Sequence, residues 1–233
     1  MQEKKGERKS GYGQAGYLLQ ILYFYVTMRD LMKPSLTPLK LPRDTPVILV
    51  DPLNDFVEEE GVFAQAYGSE DTRPVRDLLP VLKKMAHAWQ NKARLILCRS
   101  LYDENQFGVS GLEQLCVESN PWGRDCPMHE NWFKGEFEKR HNSILVTDDN
   151  EIRDILEAAR FAVLTGMTLT SCIAKSKEQI RNEIPNLTLV VPRDTTGVRA
   201  SRSADAEKIF EEWEQEHEDH VIVTPSWKKI KFP

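Results

Sequence analysis

Apolar and polar positions fall in blocks along the chain, and the blocks read as short buried strands separated by amphipathic helices. Pro46 to Val57 (PVILVDPLNDFV) is a continuous apolar strand that ends in a polar turn. Ala93 to Ser100 (ARLILCRS), Phe161 to Leu164 and Asn186 to Asp194 (NLTLVVPRD) give three more runs of the same kind, and VIVTPSW adds an edge strand near the end. Gly166 is expected to end the third of these strands. Between them, Val75, Leu78, Leu79, Leu82, Met85 and Trp89 recur at helical spacing. Arg73-Pro74 marks a possible start, and Pro80 means that this helix is kinked or begins later. A second stripe (Ile152, Ile155, Leu156, Ala159) predicts a helix over 149–160. Ile173, Ile180 and Ile184 predict another that begins near Cys172, and Ala206, Ile209, Phe210 and Trp213 predict a last one, acidic on its outer face.

The ends of the pattern are different. Met1 to Ser10 is charged and Lys-rich, and Leu18 to Met28 is strongly apolar and aromatic. That pairing faintly suggests a signal peptide. However, Gln20 interrupts the run, it is too short to span a bilayer, and it lacks a clean cleavage site. An amphipathic helix packed on the body, or across a subunit contact, is the expectation. Lys33 to Pro46 holds four prolines and reads as a linker, so residues 1–45 form an extension and 46–233 a single domain. Gln114 to Glu138 is long, polar and aperiodic, as expected of a functional loop around a pocket.

Composition narrows the partners. At 233 residues, with 40% hydrophobic and 29% charged positions, the chain suits one large α/β domain. A net charge of -5 argues against nucleic acid or an anionic membrane surface as the partner. The four cysteines (98, 116, 126 and 172) are far apart with no C-x-x-C pair, which fits a reducing cytoplasmic compartment better than a disulfide framework.

Candidate chemistry gathers in three places. Thr168, Thr170 and Ser171 supply helix-opening residues before Cys172, where backbone N–H groups and the helix dipole favour a thiolate. Alone, such a residue reads more readily as a buried structural thiol. Asp51 ends the first strand, where a partly buried carboxylate can serve as a base, or merely as a turn residue. Asn54 and Asp55 are expected to hold that loop through backbone hydrogen bonds. Lys139 and Lys134 are competing cations, with His141 nearby. Cys98 reads as an inert buried thiol. His217 and His220, at i, i+3 spacing in an acidic surface segment, make a poor metal site.

In that order, the three segments resemble the isochorismatase-like cysteine hydrolases, which include nicotinamidases, N-carbamoylsarcosine amidases and related amide or ureide hydrolases. ILVDPLNDF is similar to the family's D-x-Q-N-D-F strand end, with Leu53 in place of Gln. KRHNSI resembles its K-x-x-x-S-x-[FIL] stretch and selects Lys139 over Lys134. TGMTLTSCIAKS resembles its G-[VM]-x-T-x-x-C-V segment, with Leu169 in place of Thr. Arg99 stands where the family's second strand often ends in Thr-Arg, and the likeness runs from Pro46 to Thr196.

The resemblance implies a three-layer α/β/α fold with a mainly parallel sheet flanked by helices, and a triad of Cys172, Asp51 and Lys139. Cys172 would attack a carbonyl, Asp51 would take its proton, and Lys139 would stabilise the charged pair. A cis peptide is implied at Met167–Thr168, with the backbone N–H groups of Thr168 and Cys172 as the oxyanion hole. The implied substrate is a small amide, ureide or carbamoyl molecule, and the implied state a homo-oligomer. The loop YDENQF lacks the Asp-x-His ligands of nicotinamidases, so neither metal nor other cofactor is expected. Phe107 and Trp122 are candidates for the pocket wall. Two alternatives stand: vinyl-ether hydrolysis through Asp51 alone, and a silent relative that serves as a binding or scaffold protein. The polar helix KSKEQIRNEI departs from the family's Ala-rich continuation.

Overall fold

The computed structural model describes residues 37–148, 150–215 and 220–233. The expected helix within 18–28 and His217 lie outside the described residues. One compact unit runs from Pro38 to Pro233, so it takes in the end of the proline-rich stretch. There β1 (Leu39–Lys40) pairs in parallel with β9 (Ile230–Lys231).

The main sheet is built from β2 (Pro46–Val50), β3 (Arg94–Ser100), β4 (Gly135–Lys139), β5 (Phe161–Met167), β6 (Thr188–Pro192) and β8 (Val221–Thr224). They lie in the order β4-β3-β2-β5-β6-β8, and every pairing is parallel; a short β7 (Thr196–Gly197) joins the end of β5. The central strand β2 is wholly buried, and its alternate residues feed different cores. Val47 and Leu49 point to a cluster that contains Leu82, Met85 and Trp89 of the helix Leu79–Trp89. Ile48 and Val50 point to one that contains Ile152, Ile180 and Phe210, from the helices Glu151–Glu157, Ala174–Glu183 and Ser203–Gln215. A strand buried on both faces has no polar side, which is why its sequence is a continuous apolar run. The fold is the expected α/β/α sandwich. Among the described residues, no helix is long and apolar enough to cross a membrane.

Local outcomes differ from the sequence pattern at four points. The apolar strand stops at Val50, and the polar turn carries a short helix, Asn54–Val57. The stripe around Pro80 is two helices, Ser69–Arg76 and Leu79–Trp89, with Pro80 at the start of the second, where its missing N–H costs nothing. Gly166 does not end β5 but lies within it at φ +114°, because a Cβ there would sit 2.1 Å from the Val50 carbonyl oxygen of β2. Residues 135–139 form β4 inside what reads as irregular chain.

Candidate active site

The chain builds β2, β3 and β4 outward in one direction, then returns to place β5 on the other side of β2. This reversal opens a crevice at the carboxyl ends of β2 and β5, where ligands bind in open parallel sheets. Asp51 follows β2, Ser100 and Lys139 end β3 and β4 directly opposite one another, and Cys172 follows β5. Cys172 lies in a π-helical turn, Leu169–Ile173, that precedes the helix Ala174–Glu183. Met167–Thr168 is a cis peptide.

The sheet register brings the three sequence-selected residues together. Lys139 and Asp51 are fully buried, and Lys139 Nζ lies 2.9 Å from Asp51 Oδ2. The same ammonium lies 3.5 Å from Cys172 Sγ. It also donates to Ser100 Oγ and to the Tyr102 hydroxyl, each at 2.6 Å, and to the His141 carbonyl at 3.2 Å. Ser100 in turn donates to Asp51 Oδ1 at 2.8 Å, and the Asp51 N–H donates to the Cys98 carbonyl at 2.9 Å. Asp51 is held at φ 52°, so its side chain leaves the strand end toward Lys139. Lys134 is displaced from this centre: its backbone N–H pairs with the Leu95 carbonyl at the start of β4.

Burial decides the state of the sulfur. It pushes the Cys172 thiol above the ordinary range; Lys139 pulls it down and Asp51 pushes it back up. The thiolate expected from the helix dipole is therefore not the resting form, since Cys172 precedes the regular helix and is only 3% exposed. The thiol donates to Asn142 Oδ1 at 3.8 Å, and the sulfur accepts from the Ser171 hydroxyl and lies beside the Tyr102 hydroxyl at the same distance. Among the described residues Asp51 is not a hydrogen-bond partner of the sulfur; both instead contact the Lys139 ammonium. Burial opposes the charge of Lys139, but its acidic neighbours, Asp51 foremost, outweigh it and hold the ammonium above its usual range.

A cavity of about 220 Å³ opens over Cys172. Phe56, Phe63, Tyr102, Phe107 and Leu115 give it an apolar wall, and Arg199 and Arg202 supply positive charge. Arg199 is fixed by Asp71 at 2.8 Å and by the face of Tyr67, 3.7 Å from the ring centre. Phe107 is thus part of the cavity and packs edge-on against Tyr102, with ring centres 4.8 Å apart. Trp122 is not: it lies in the short helix Pro121–Arg124, is 44% exposed and does not line this cavity. Its backbone carbonyl instead accepts from Asn54 at 2.9 Å. A larger surface cleft of about 420 Å³, between Asn142 and the helix Ala174–Glu183, does not reach the sulfur.

Sequence reasoning missed Ser100, Tyr102, Asn142 and Ser176. Ser176 is the polar residue that explains part of the unusual helix. Its hydroxyl donates to the Cys172 carbonyl at 2.6 Å and accepts from the Ile144 N–H at 3.0 Å, tying the Lys139 segment to the cysteine turn. Among the described residues, no three His, Cys, Asp or Glu side chains are grouped to hold a metal ion.

No family model matches the chain. No curated protein matches it by sequence. Solved structures do match. PnC1 from L. infantum, solved in complex with nicotinate, superposes with a TM-score of 0.63 at 13% identity, over 84% of this chain and 99% of that one. An isochorismatase-like hydrolase from Alkaliphilus metalliredigens gives 0.58 at 15%, over 80% and 96%. N-carbamoylsarcosine amidase from Thermoplasma acidophilum gives 0.56 at 12%, over 78% and 95%. The chain has the isochorismatase-like hydrolase fold.

Proposed function

We propose that the protein is a cysteine hydrolase that cleaves a C–N bond in a small amide, ureide or carbamoyl compound. One observation carries this reading: Lys139 Nζ reaches both Asp51 Oδ2, at 2.9 Å, and Cys172 Sγ, at 3.5 Å, and Cys172 lines a cavity. A buried acid and amine beside a thiol are costly to maintain for packing alone. They are what a thiol needs to be deprotonated on demand.

In this reading substrate enters, Asp51 receives the thiol proton, and Cys172 attacks the carbonyl carbon. Because Asp51 and the sulfur are not hydrogen-bonded to each other, the transfer needs a small approach of the two groups or a bridging water molecule. Lys139 then faces the thiolate directly. The backbone N–H groups of Thr168 and Cys172 receive the developing oxyanion. Asp51 returns the proton to the departing nitrogen, and water releases the thioester. No step requires a metal or other cofactor, and free thiols suit a reducing cytoplasm.

Ammonia or amine release from a panel of small amides, ureides and carbamoyl compounds tests the reading. Carboxylate-bearing members come first, because Arg199 and Arg202 are the charged groups of the lining. Cys172→Ala is expected to lower the rate by at least about a thousandfold. Cleavage of a vinyl ether that survives Cys172→Ala but is lost in Asp51→Asn, with no amine released from the panel, would instead assign proton-driven ether cleavage. A well-folded protein inert toward the whole panel would favour a binding role.

A further inference from the structure

The structure assigns Tyr102 as a further catalytic residue, whose hydroxyl donates a hydrogen bond to the Cys172 sulfur; we propose this role on the reading that Cys172 is the nucleophile.

The assignment follows from counting protons. An ammonium has three to give and accepts none. Lys139 gives protons to Ser100 Oγ and the Tyr102 oxygen, each at 2.6 Å, and to the His141 carbonyl at 3.2 Å, while Asp51 Oδ2 lies beside it at 2.9 Å as its counter-ion. Ser100 and Tyr102 are thus acceptors toward Lys139, and each must place its own proton elsewhere. Ser100 gives its proton to Asp51 Oδ1 at 2.8 Å. For the Tyr102 oxygen the remaining partner is Cys172 Sγ, at 3.8 Å. A buried hydroxyl without an acceptor would be a standing cost, so the proton points at the sulfur. The thiol keeps its own acceptor, Asn142 Oδ1.

Tyr102 is built to stay in that position. Its backbone N–H pairs with the Cys116 carbonyl at 3.1 Å, and the Cys116 N–H is held at 2.6 Å by the buried Asp55 carboxylate. Its ring is stacked edge-on against Phe107 and lies 4.8 Å from Lys139 Nζ. Burial pushes the phenol well above its ordinary range although Lys139 pulls it down, so it stays a neutral donor. Donation from Lys139 to the phenol oxygen polarises its O–H and makes it a better donor. The bond strengthens as charge gathers on sulfur and fades once the thioester forms. The other titratable or charged groups around this pair are Asp51 just after β2, Cys98 from β3, Cys116 from the loop paired with Tyr102, Lys139 from β4, and Arg199 and Arg202 across the cavity.

The test is the pH midpoint for alkylation of Cys172 by iodoacetamide, read by peptide mapping of the full-length protein without substrate. Tyr102→Phe keeps the ring and removes the donor, and is expected to raise the midpoint by about one unit. A ring-fluorinated tyrosine at position 102, a stronger donor, is expected to lower it. A role in packing alone would lower Tm in the Phe variant and move neither midpoint, and that result overturns the assignment. If the midpoints stay fixed while Cys172→Ala is inactive, only the Tyr102 role falls. If Cys172→Ala hydrolyses amides like the parent, the nucleophile reading falls instead.

Discussion

Asp51 and Asp55 lie in the same turn after β2 and are both fully buried, yet they keep opposite company. Asp51 faces a buried ammonium and, through it, a thiol beside a cavity. Asp55 faces the N–H groups of Cys116 and Val62 and the Asn120 amide, and among the described residues no cation pairs with it. Burial raises its carboxyl above the usual range even though these donors pull it down. The comparison separates two uses of a buried acid. One holds a proton-transfer centre ready; the other clamps the loop that carries Tyr102's partner Cys116. Gly123 belongs to the clamp, since a Cβ there would lie 2.4 Å from the Asp55 carboxylate.

Substitution breaks the comparison most sharply at its catalytic end. Asp51→Asn is expected to reduce amide hydrolysis by roughly a hundredfold to ten-thousandfold. It also leaves Lys139 buried without its counter-ion, a loss of about 3–5 kcal/mol in urea unfolding. Asp55→Asn is expected to leave Cys172 alkylation within a few tenths of a pH unit of the parent. An equal fall in activity for both variants would show that the two acids are not distinct in role.

Next in size is Gly123→Ala, expected to cost about 1–3 kcal/mol by crowding Asp55 while the Asp51–Lys139 pair stays intact. Its stability should fall without a shift in the Cys172 alkylation midpoint. The pH response comes third. Cys98, Cys116 and Cys172 are all held above ordinary thiol values, by burial first. A raised folded-state value means stability present below the ordinary thiol range is lost as pH climbs through it. Thermal melts should therefore hold steady near neutrality and drop at alkaline pH, and alkylation of Cys172 should be slow at pH 7. The partly exposed Cys126 is pushed up to about 11 and should also react slowly there. The smallest effect lies outside both regions: Glu207→Ala removes one partner of the surface Arg193 and should cost under about 1 kcal/mol.

Much of this architecture was legible because buried strands leave continuous apolar runs. β2, β3, β5 and β6 each announce themselves that way, and Asp51 and Cys172 sit just beyond two of them. β4 was not legible, because it is an edge strand whose sequence, GEFEK, alternates. Phe137 and Lys139 turn inward, while Glu136 and Glu138 meet Arg99 and Arg124. Ser100 and Tyr102 were missed for a related reason. Their closeness to Lys139 comes from the parallel register that sets Ser100 opposite it, which no spacing along the chain encodes. Trp122 looked like a pocket residue by its size, but its short helix is anchored to Asn54 and leaves the ring half-exposed. The state of the thiol also escaped the sequence: the helix dipole argued for a thiolate, and burial outweighs it.

The most direct test of the central claim is to trap the acyl-enzyme. The protein is mixed with the best substrate from the amide panel, quenched in acid at short times, digested and weighed peptide by peptide. The expected result is the acyl mass on the Cys172 peptide, removed by hydroxylamine and absent in Cys172→Ala. Turnover that continues undiminished in Cys172→Ala, with no adduct on any peptide, would contradict it.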